Sequence, residues 1–591
     1  MFYPKVQGPA TFRRTRTAFG GYRHELTAAE GDWYDEENMT DRDWPAAAAR
    51  GPRYAGPDLG SADGICAGDA LYWTDAEGRL IRNGQPTGLT LTPGTARQFV
   101  FMGAHLVIFP DKKYLNTADP ADFGSLEAAA EAESPVVTLC RSDGSPLEPS
   151  AAGETPPADP GDGDLWVDTG AETGGLKRYD AASGLWAAAP EPLVRLSAPG
   201  VGAGLKAGDG VTVSGLHAPE GSPAQARAEA LNGVHVLTGA EADSVTFPGL
   251  LPAGFTAAGT VRLERRCPDM DYVCQCGNRL WGCFHGVDAE GRTVNQLYAC
   301  RLGDFTNWQT YEGLSTDAWA AACGTPGPWT GCAAYDGCPT FFKQDAVHRI
   351  YVSPNGAHQV ASAAVRGVRR GCWRSLAVCG EVLYYVAREG VMAYTGAMPV
   401  RVSDALGEAD LTDACAGVLG DRYYLTAGDG TGVRPTFVYH PARRLWHRHS
   451  PNGAVCWAQK DGVLYWQTAE GRLGLSGPSE LVAAVPESYV PWYCETGMIG
   501  FEQPEQKVLS RFLLRLYLGP GARCELLIRY DDGDWVSRGI VEREGVHSVL
   551  AAVLPRRCDH CRLRLQGQGE MRLYSLSCVL EEGSDNSWYF M

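Results

Sequence analysis

The chain has 591 residues, 21% of them charged and 44% hydrophobic, which points to a folded protein of roughly two to four domains rather than one simple core. Its net charge of −18 repels nucleic acid and argues against general DNA or RNA binding, although Arg13, Arg14 and Arg16 make a local basic patch. No apolar run has the length of a membrane span, and the N-terminus lacks the charged-then-apolar order of a signal peptide.

Residues 1–54 read as an extended N-terminal arm. The stretch "FGGYRHELTAAEGDWYDEENMTDRDWPAAAARGPR" has a Gly-rich start, an acidic middle, then a Pro and an Arg-x-x-Arg pair. Asp35, Asn38 and Thr40 suit turns or caps, and little of the segment can form a core of its own. Such arms lie across a neighbouring subunit. The expected contacts are therefore Arg13, Arg14, Arg16, Tyr22, Trp33, Tyr34, Asp35, Asn38, Met39, Arg50 and Arg53.

From residue 55 one unit recurs: a short apolar run, a tight polar turn, then a second apolar or aromatic run. "GICAGDALYWTDAEGRLIRNG" and "RQFVFMGAHLVIFPDKKYLN" are the first two. "DYVCQCGNRLWGCFHG", "GCAAYDGCPTFFKQDAVHRIYV", "RSLAVCGEVLYYVAREGVMAYTG", "ACAGVLGDRYYLTAGDG" and "GAVCWAQKDGVLYWQTAEGRLGLSG" follow. The Gly-Asp, Gly-Asn, Asp-Gly and Gly-Glu turns accept the positive φ of tight hairpins. Each unit offers too few strands to bury a face alone, and radial stacking of such units gives a β-propeller. An all-β fold with a propeller of about seven blades is expected, its first part at 55–133 and its remainder at 263–490. A set of β-sandwiches is the alternative.

The repeat is interrupted. "DPADFGSLEAAAEAES" predicts a short helix, and residues 134–262 predict an inserted small β domain. Within it "LKRYDAASGLWAAAPEPLVRL" reads as a hairpin with Trp166 and Trp186 as its core. Residues 491–591 alternate strictly, as in "KVLSRFLLRLYLGPGARCELLIRYDDGDWVSRG", and predict a jelly-roll-like C-terminal β-sandwich.

Candidate chemistry is sparse. There are 19 cysteines, an odd number, and in a chain without a secretion signal most should be buried free thiols. In "CDHCRLRLQG" Cys561 shares a face with Leu563 and Leu565, so Cys558 and Cys561 read as packing ahead of a metal or redox pair. The cluster Cys267, Cys274, Cys276 and Cys283 lacks the usual two-residue gap of a zinc site and reads the same way. His447 and His449 share a strand face and read as a polar pair. Propellers host glycosidases, but no pair of carboxylates stands out among 70 acidic residues, and no nucleophile elbow or phosphate-cradling loop is present. No catalytic residue, cofactor or metal is expected. An alternative reading as a glycan-binding or glycan-cleaving propeller would use Trp166, Trp186, Trp308 and Trp535 to stack on sugar rings.

The opening "GDWYDEENMT...WP...RGPR" and the closing "LPRRCDHCRLRLQGQGEMRLYSLSCVLEEGSD" resemble the ends of tail or neck proteins encoded in phages and prophages of gut Firmicutes. "PGDGDLWVDTGAETGGLKRYDAASGLW" is similar to small modules inserted in phage structural proteins. The layout is similar to the packaged-DNA stabilisation (tail accessory, hub) propellers of short-tailed phages. That resemblance implies a non-enzymatic virion protein, made in the host bacterial cytoplasm and assembled in the neck or tail. It implies a multi-copy ring that meets the portal or connector and other tail proteins. Packaged DNA would pass through the ring without sequence-specific binding.

Overall fold

The computed structural model describes residues 10–582 except 26–27, 30, 171–173, 289–290, 353–356 and 504. The fold is all-β, and its centre is a propeller of seven blades. Blade one runs from Ile65–Ala67 to Gln85–Thr90, blade two from Gln98–Met102 to Phe123–Ser125, and blade three from Tyr272–Cys276 to Trp319–Ala322. Blade four runs from Gly331–Tyr335 to His358–Ala363, blade five from Ala377–Cys379 to Val400–Arg401, and blade six from Thr412–Leu419 to Leu445–His449. Each is a four-stranded antiparallel meander. The turns between first and second strands show why these sequences form hairpins. Gly277-Asn278, Asp336-Gly337 and Asp461-Gly462 all hold positive φ, as a two-residue turn of matching twist requires.

Blade seven is completed from the other end of the chain. Ala454–Lys460, Val463–Thr468 and Arg472–Leu475 supply its inner strands, and Tyr54–Asp58 pairs antiparallel with Arg472–Leu475. Apolar side chains then fill each gap between neighbouring blades: Leu71, Trp73, Tyr465 and Leu475 pack blade seven on blade one. Phe342, Tyr385 and Tyr423 belong to the continuous core of blades four to six.

The strands at the base of the insertion reach outside the expected bounds of 134–262 at both ends. Ala128–Glu133 pairs with Thr260–Arg265 at its base, so the domain spans about 128–265. The expected helix over "DPADFGSLEAAAEAES" is instead the two strands Phe123–Ser125 and Ala128–Glu133. Alternate residues of the second strand turn inward, with Ala132 buried, and pairing with Val261 and Leu263 outweighs the helix propensity of Ala and Glu. The one α-helix among the described residues, Gln225–Ala230, lies elsewhere in the insertion. Arg265 at the base of the insertion pairs with Asp209 inside the domain at 2.8 Å and fastens it to the propeller by donating to the Leu126 carbonyl at 3.0 Å.

The C-terminal domain is a two-sheet sandwich, and it is not made by the C-terminal residues alone. Lys507–Leu518, Gly545–Ala551 and Met571–Glu582 form one sheet with Thr11–Arg16, Met39–Thr40 and Ala47–Ala49. Pro491–Thr496, Arg523–Tyr530, Val536–Val541 and Cys561–Gln568 form the other, with Trp33–Glu37 at its edge. The expectation of a free arm with little core is thereby corrected. Trp33 and Met39 are buried in the sandwich beside Leu514, Ile528 and Leu565. Trp33 also stacks on Phe19 at 5.5 Å. Trp33→Ala should therefore lower unfolding free energy by about 3–5 kcal/mol in denaturant titration. A change below about 0.5 kcal/mol would mean that the segment does not fold into the sandwich.

Candidate functional site

The first strands of six blades, with Trp373, Arg374 and Leu376 just before that of blade five, line a cavity of about 390 Å³ at the propeller centre. Phe99, Phe101, Tyr272, Trp373 and Trp457 supply aromatic faces, with Gln98, Gln459 and Arg374 between them. Arg374 lies over the Trp373 ring at 4.9 Å and donates to the carbonyls of Val455 and Asp63, both at 3.3 Å. Its buried Nε has no partner among the described residues. Such walls can stack a flat or sugar-like ring and pair one cation with an anionic or hydroxyl acceptor. None of the lining residues carries a carboxylate, so a two-carboxylate hydrolysis has no acid–base pair here. Sequence reading missed this cavity; the only signal was an aromatic residue in or beside the first strands of blades two, three, five and seven.

A second concentration of polar groups joins the N-terminal segment to blade six and the sandwich. Asp41 is buried and accepts from His440 Nδ1, from Arg422 Nη2 at 2.9 Å and from Arg443 Nη1 at 2.8 Å. Burial alone would raise its carboxyl, but the hydrogen bonds from His440 and Arg422 outweigh it and hold it well below the usual carboxylate range. Asn38, held at positive φ, donates to the Pro491 carbonyl at 2.7 Å and accepts from Arg50 Nε at 2.7 Å. Arg50 continues to Glu487 at 2.7 Å, and Arg53 donates to the Ser450 carbonyl at 2.8 Å. Asp35 meets Arg448 and the Tyr493 hydroxyl, both at 3.0 Å.

The remaining arm residues are also held within the chain. Tyr22 is buried, donates its backbone N–H to the Trp446 carbonyl at 2.7 Å, and has its hydroxyl pushed up to about 12 by that burial. The Arg562 guanidinium lies over the Tyr34 ring at 4.0 Å. Arg13 donates to Ser577 Oγ at 3.4 Å, Arg14 pairs with Glu502, and Arg16 lines a small pocket beside Leu576 and Cys578. Most of the residues expected to reach a neighbour are thus held by their own subunit, while Arg13 and Arg16 remain exposed. The partners Arg422, His440 and Arg443 are distant in sequence, and no motif marked them.

No protein-family model and no curated protein matches the chain. Among solved structures it is similar to the exo-β-1,3-galactanase of Phanerochaete chrysosporium, at 9% identity over 52% of this chain and 94% of that one, with a TM-score of 0.22. It is also similar to an engineered GH43 glycoside hydrolase with endo-xylanase and exo-arabinofuranosidase activity, at 9% identity over 54% and 98% of the two chains, TM-score 0.19. BamB from Moraxella catarrhalis matches at 12% identity over 34% and 90%, TM-score 0.15. These comparisons correct one expectation. The chain was expected not to be an enzyme, and its structural neighbours are glycoside hydrolases, so that expectation is withdrawn.

The thiols and tryptophans singled out in the sequence fall mainly in packed positions. Cys558 pairs into one sheet of the sandwich and Cys561 starts a strand in the other, and both are buried in its core. Burial pushes the Cys558 thiol up to about 11 and Cys561 well above its ordinary value. Cys274, Cys276 and Cys283 line the core between blades three and four, and Cys267 the one between blades two and three. Trp166 and Trp308 are buried and donate to the carbonyls of Gly153 and Phe305, which takes them out of the alternative reading as sugar platforms. Trp186 is half-buried and meets Trp166 edge-on at 5.5 Å, and Trp535 is half-buried in the sandwich.

Two buried histidines give the junction a pH dependence of opposite sign on each side of neutrality. Burial opposes the charge on His447, but Glu36 at 2.7 Å outweighs it, and the imidazole sits above its ordinary value. Its contribution is present below about pH 6.5, the unfolded value, and is lost as pH rises through the folded one. Glu36 is itself raised, by burial, and acts in the same direction. His449 is pulled well below its ordinary value by burial and by Arg53 and Arg50, so its contribution is present above about pH 6.5 and lost below it. Thermal melts across pH should show both limbs. The double variant Glu36→Gln/His447→Gln should flatten the alkaline limb and His449→Gln the acid limb; an unchanged profile in both would contradict this assignment.

Proposed function

We propose that this chain is a structural protein of a phage neck or tail, a subunit of a multi-copy ring that extends or seals the DNA channel below the portal or connector. The observation that carries the reading is an uncovered double edge on the sandwich. Val536–Val541 and Gly545–Ala551 are terminal strands of the two sheets, joined by a three-residue turn. Exposed apolar side chains follow one another along them: Val536, Ile540, Val546 at 55% and Leu550 at 65% exposure, then Leu554 beyond the strand. Monomeric proteins blunt such edges with charge or cover them, because open edges bearing apolar groups recruit other chains. A second copy is the occupant that a ring supplies at every position.

Further features support the same reading. The clasped N-terminal segment and the docked insertion make one stiff body, as a ring subunit needs. The axial cavity, about 390 Å³ and walled by side chains, has no room for duplex DNA, so DNA would follow the axis of the ring and not that of the propeller. The charge of −18 suits a wall along which DNA slides without sticking. No helix among the described residues is long and apolar enough to cross a membrane. A virion location is part of the proposal. A second reading, a carbohydrate-recognising propeller of the phage tail, is favoured by the aromatic walls of the axial cavity.

Light scattering of the purified protein, alone and with the cognate portal or connector, separates the two. The ring reading predicts a multimer in one or both samples, and Val546→Asp/Leu550→Asp should return it to a monomer without a change in melting temperature. A monomer that ignores the connector and is retained by host cell-wall glycan would overturn it in favour of the second.

A further inference from the structure

Trp319–Ala322 is the outer strand of blade three and His358–Ala363 that of blade four, and side chains of the two blades meet beside them. At one end of this seam Trp281, Trp319 and His358 form an aromatic trio with ring centroids 5.3–5.9 Å apart. Four residues further along both strands lies a different cluster. Cys323 is half-buried, and its sulfur is 3.9 Å from both ring nitrogens of the fully buried His348. The Thr325 hydroxyl bridges them, at 3.2 Å from the sulfur and 3.1 Å from His348 Nε2. Ser362 Oγ takes the other ring nitrogen at 2.7 Å.

Backbone contacts fix the sulfur in place. The Cys323 N–H donates to the Asn295 carbonyl at 2.8 Å, and Asn295 Nδ2 returns a bond to the Cys323 carbonyl at 2.7 Å. Behind the pair the buried Lys343 ammonium donates to the Thr325 carbonyl at 2.7 Å and to Asn295 Oδ1 at 3.1 Å.

We propose that Cys323 is a reactive nucleophile at the surface seam of blades three and four, a modification site that takes up a low-molecular-weight disulfide. The His348 imidazole and the Thr325 hydroxyl both face the sulfur, so negative charge on Cys323 is met from two sides. Burial works against that charge, but the hydrogen bonds of His348 and Thr325 outweigh it and bring the thiol down to about 6. Lys343, with Cys283 beyond it, is the further titratable group facing the site. In the reaction the Cys323 sulfur attacks one sulfur of the small disulfide. A new S–S bond forms as the old one breaks, and the departing thiolate takes the proton that the Cys323 thiol gave up. The protein thiol is oxidised and the small disulfide is reduced.

The test uses the native full-length protein, oxidised glutathione or an aromatic disulfide reagent, and peptide mass mapping over time. At about pH 6.5 Cys323 should be modified at least about tenfold faster than Cys66, Cys332, Cys338 or Cys456, which are also half-buried. Its rate should rise with a midpoint near pH 6, and His348→Gln should move that midpoint up by a pH unit or more. Thr325→Val, a smaller change, should move it in the same direction if the histidine variant does not fold. A wild-type midpoint at pH 8 or above, or modification no faster than that of the other half-buried thiols, would overturn the proposal.

Discussion

Everything in this molecule depends on where the segment before residue 59 goes. A propeller is a ring of blades whose first and last members must be joined, or the apolar faces between them are exposed to water. Here Tyr54–Asp58 joins the last blade across Arg472–Leu475, while blade one follows it directly in sequence. The residues just before it are equally committed, because Trp33–Glu37 extends one sheet of the sandwich and Ala47–Ala49 the other. One stretch of chain therefore closes the ring and ties it to the second domain.

Charge holds that stretch in register more tightly than its apolar residues could alone. Asp41 gathers His440, Arg422 and Arg443, Glu36 takes His447, and Asn38 ties Arg50 to Ser450. Removing one member leaves the others desolvated without a counter-charge, which costs about 3–5 kcal/mol and is far larger than the net gain from the pair itself. The network thus specifies one docking position. It also explains why side chains that look available for a neighbour in the sequence are occupied, and why contact between copies is better sought on the sandwich edge at Val546 and Leu550.

The propeller was legible because its determinants are local. Asp336-Gly337 and Asp461-Gly462 encode their turns, and the alternating runs around them encode the strands, so all seven repeats coincide with blades. What failed was non-local. Trp33 and Met39 look like arm residues because their partners lie more than 450 positions away, and the Ala/Glu run at 126–133 looks helical until Val261 and Leu263 pair with it. The Cys323 cluster was illegible for the same reason, since His348 and Ser362 reach it from another blade. Parity did succeed for Cys561, because strand alternation is a local property.

The central claim is that the N-terminal segment is a built-in part of its own subunit. Hydrogen exchange read by mass spectrometry on the isolated protein addresses it directly. Amides in Thr11–Arg16, Trp33–Glu37 and Tyr54–Asp58 should exchange as slowly as those in Met571–Glu582, Pro491–Thr496 and Arg472–Leu475, the strands they pair with. Exchange at the rate of an unstructured chain in the first three, with protection retained in the last three, would contradict the account and return the segment to the role of a free arm.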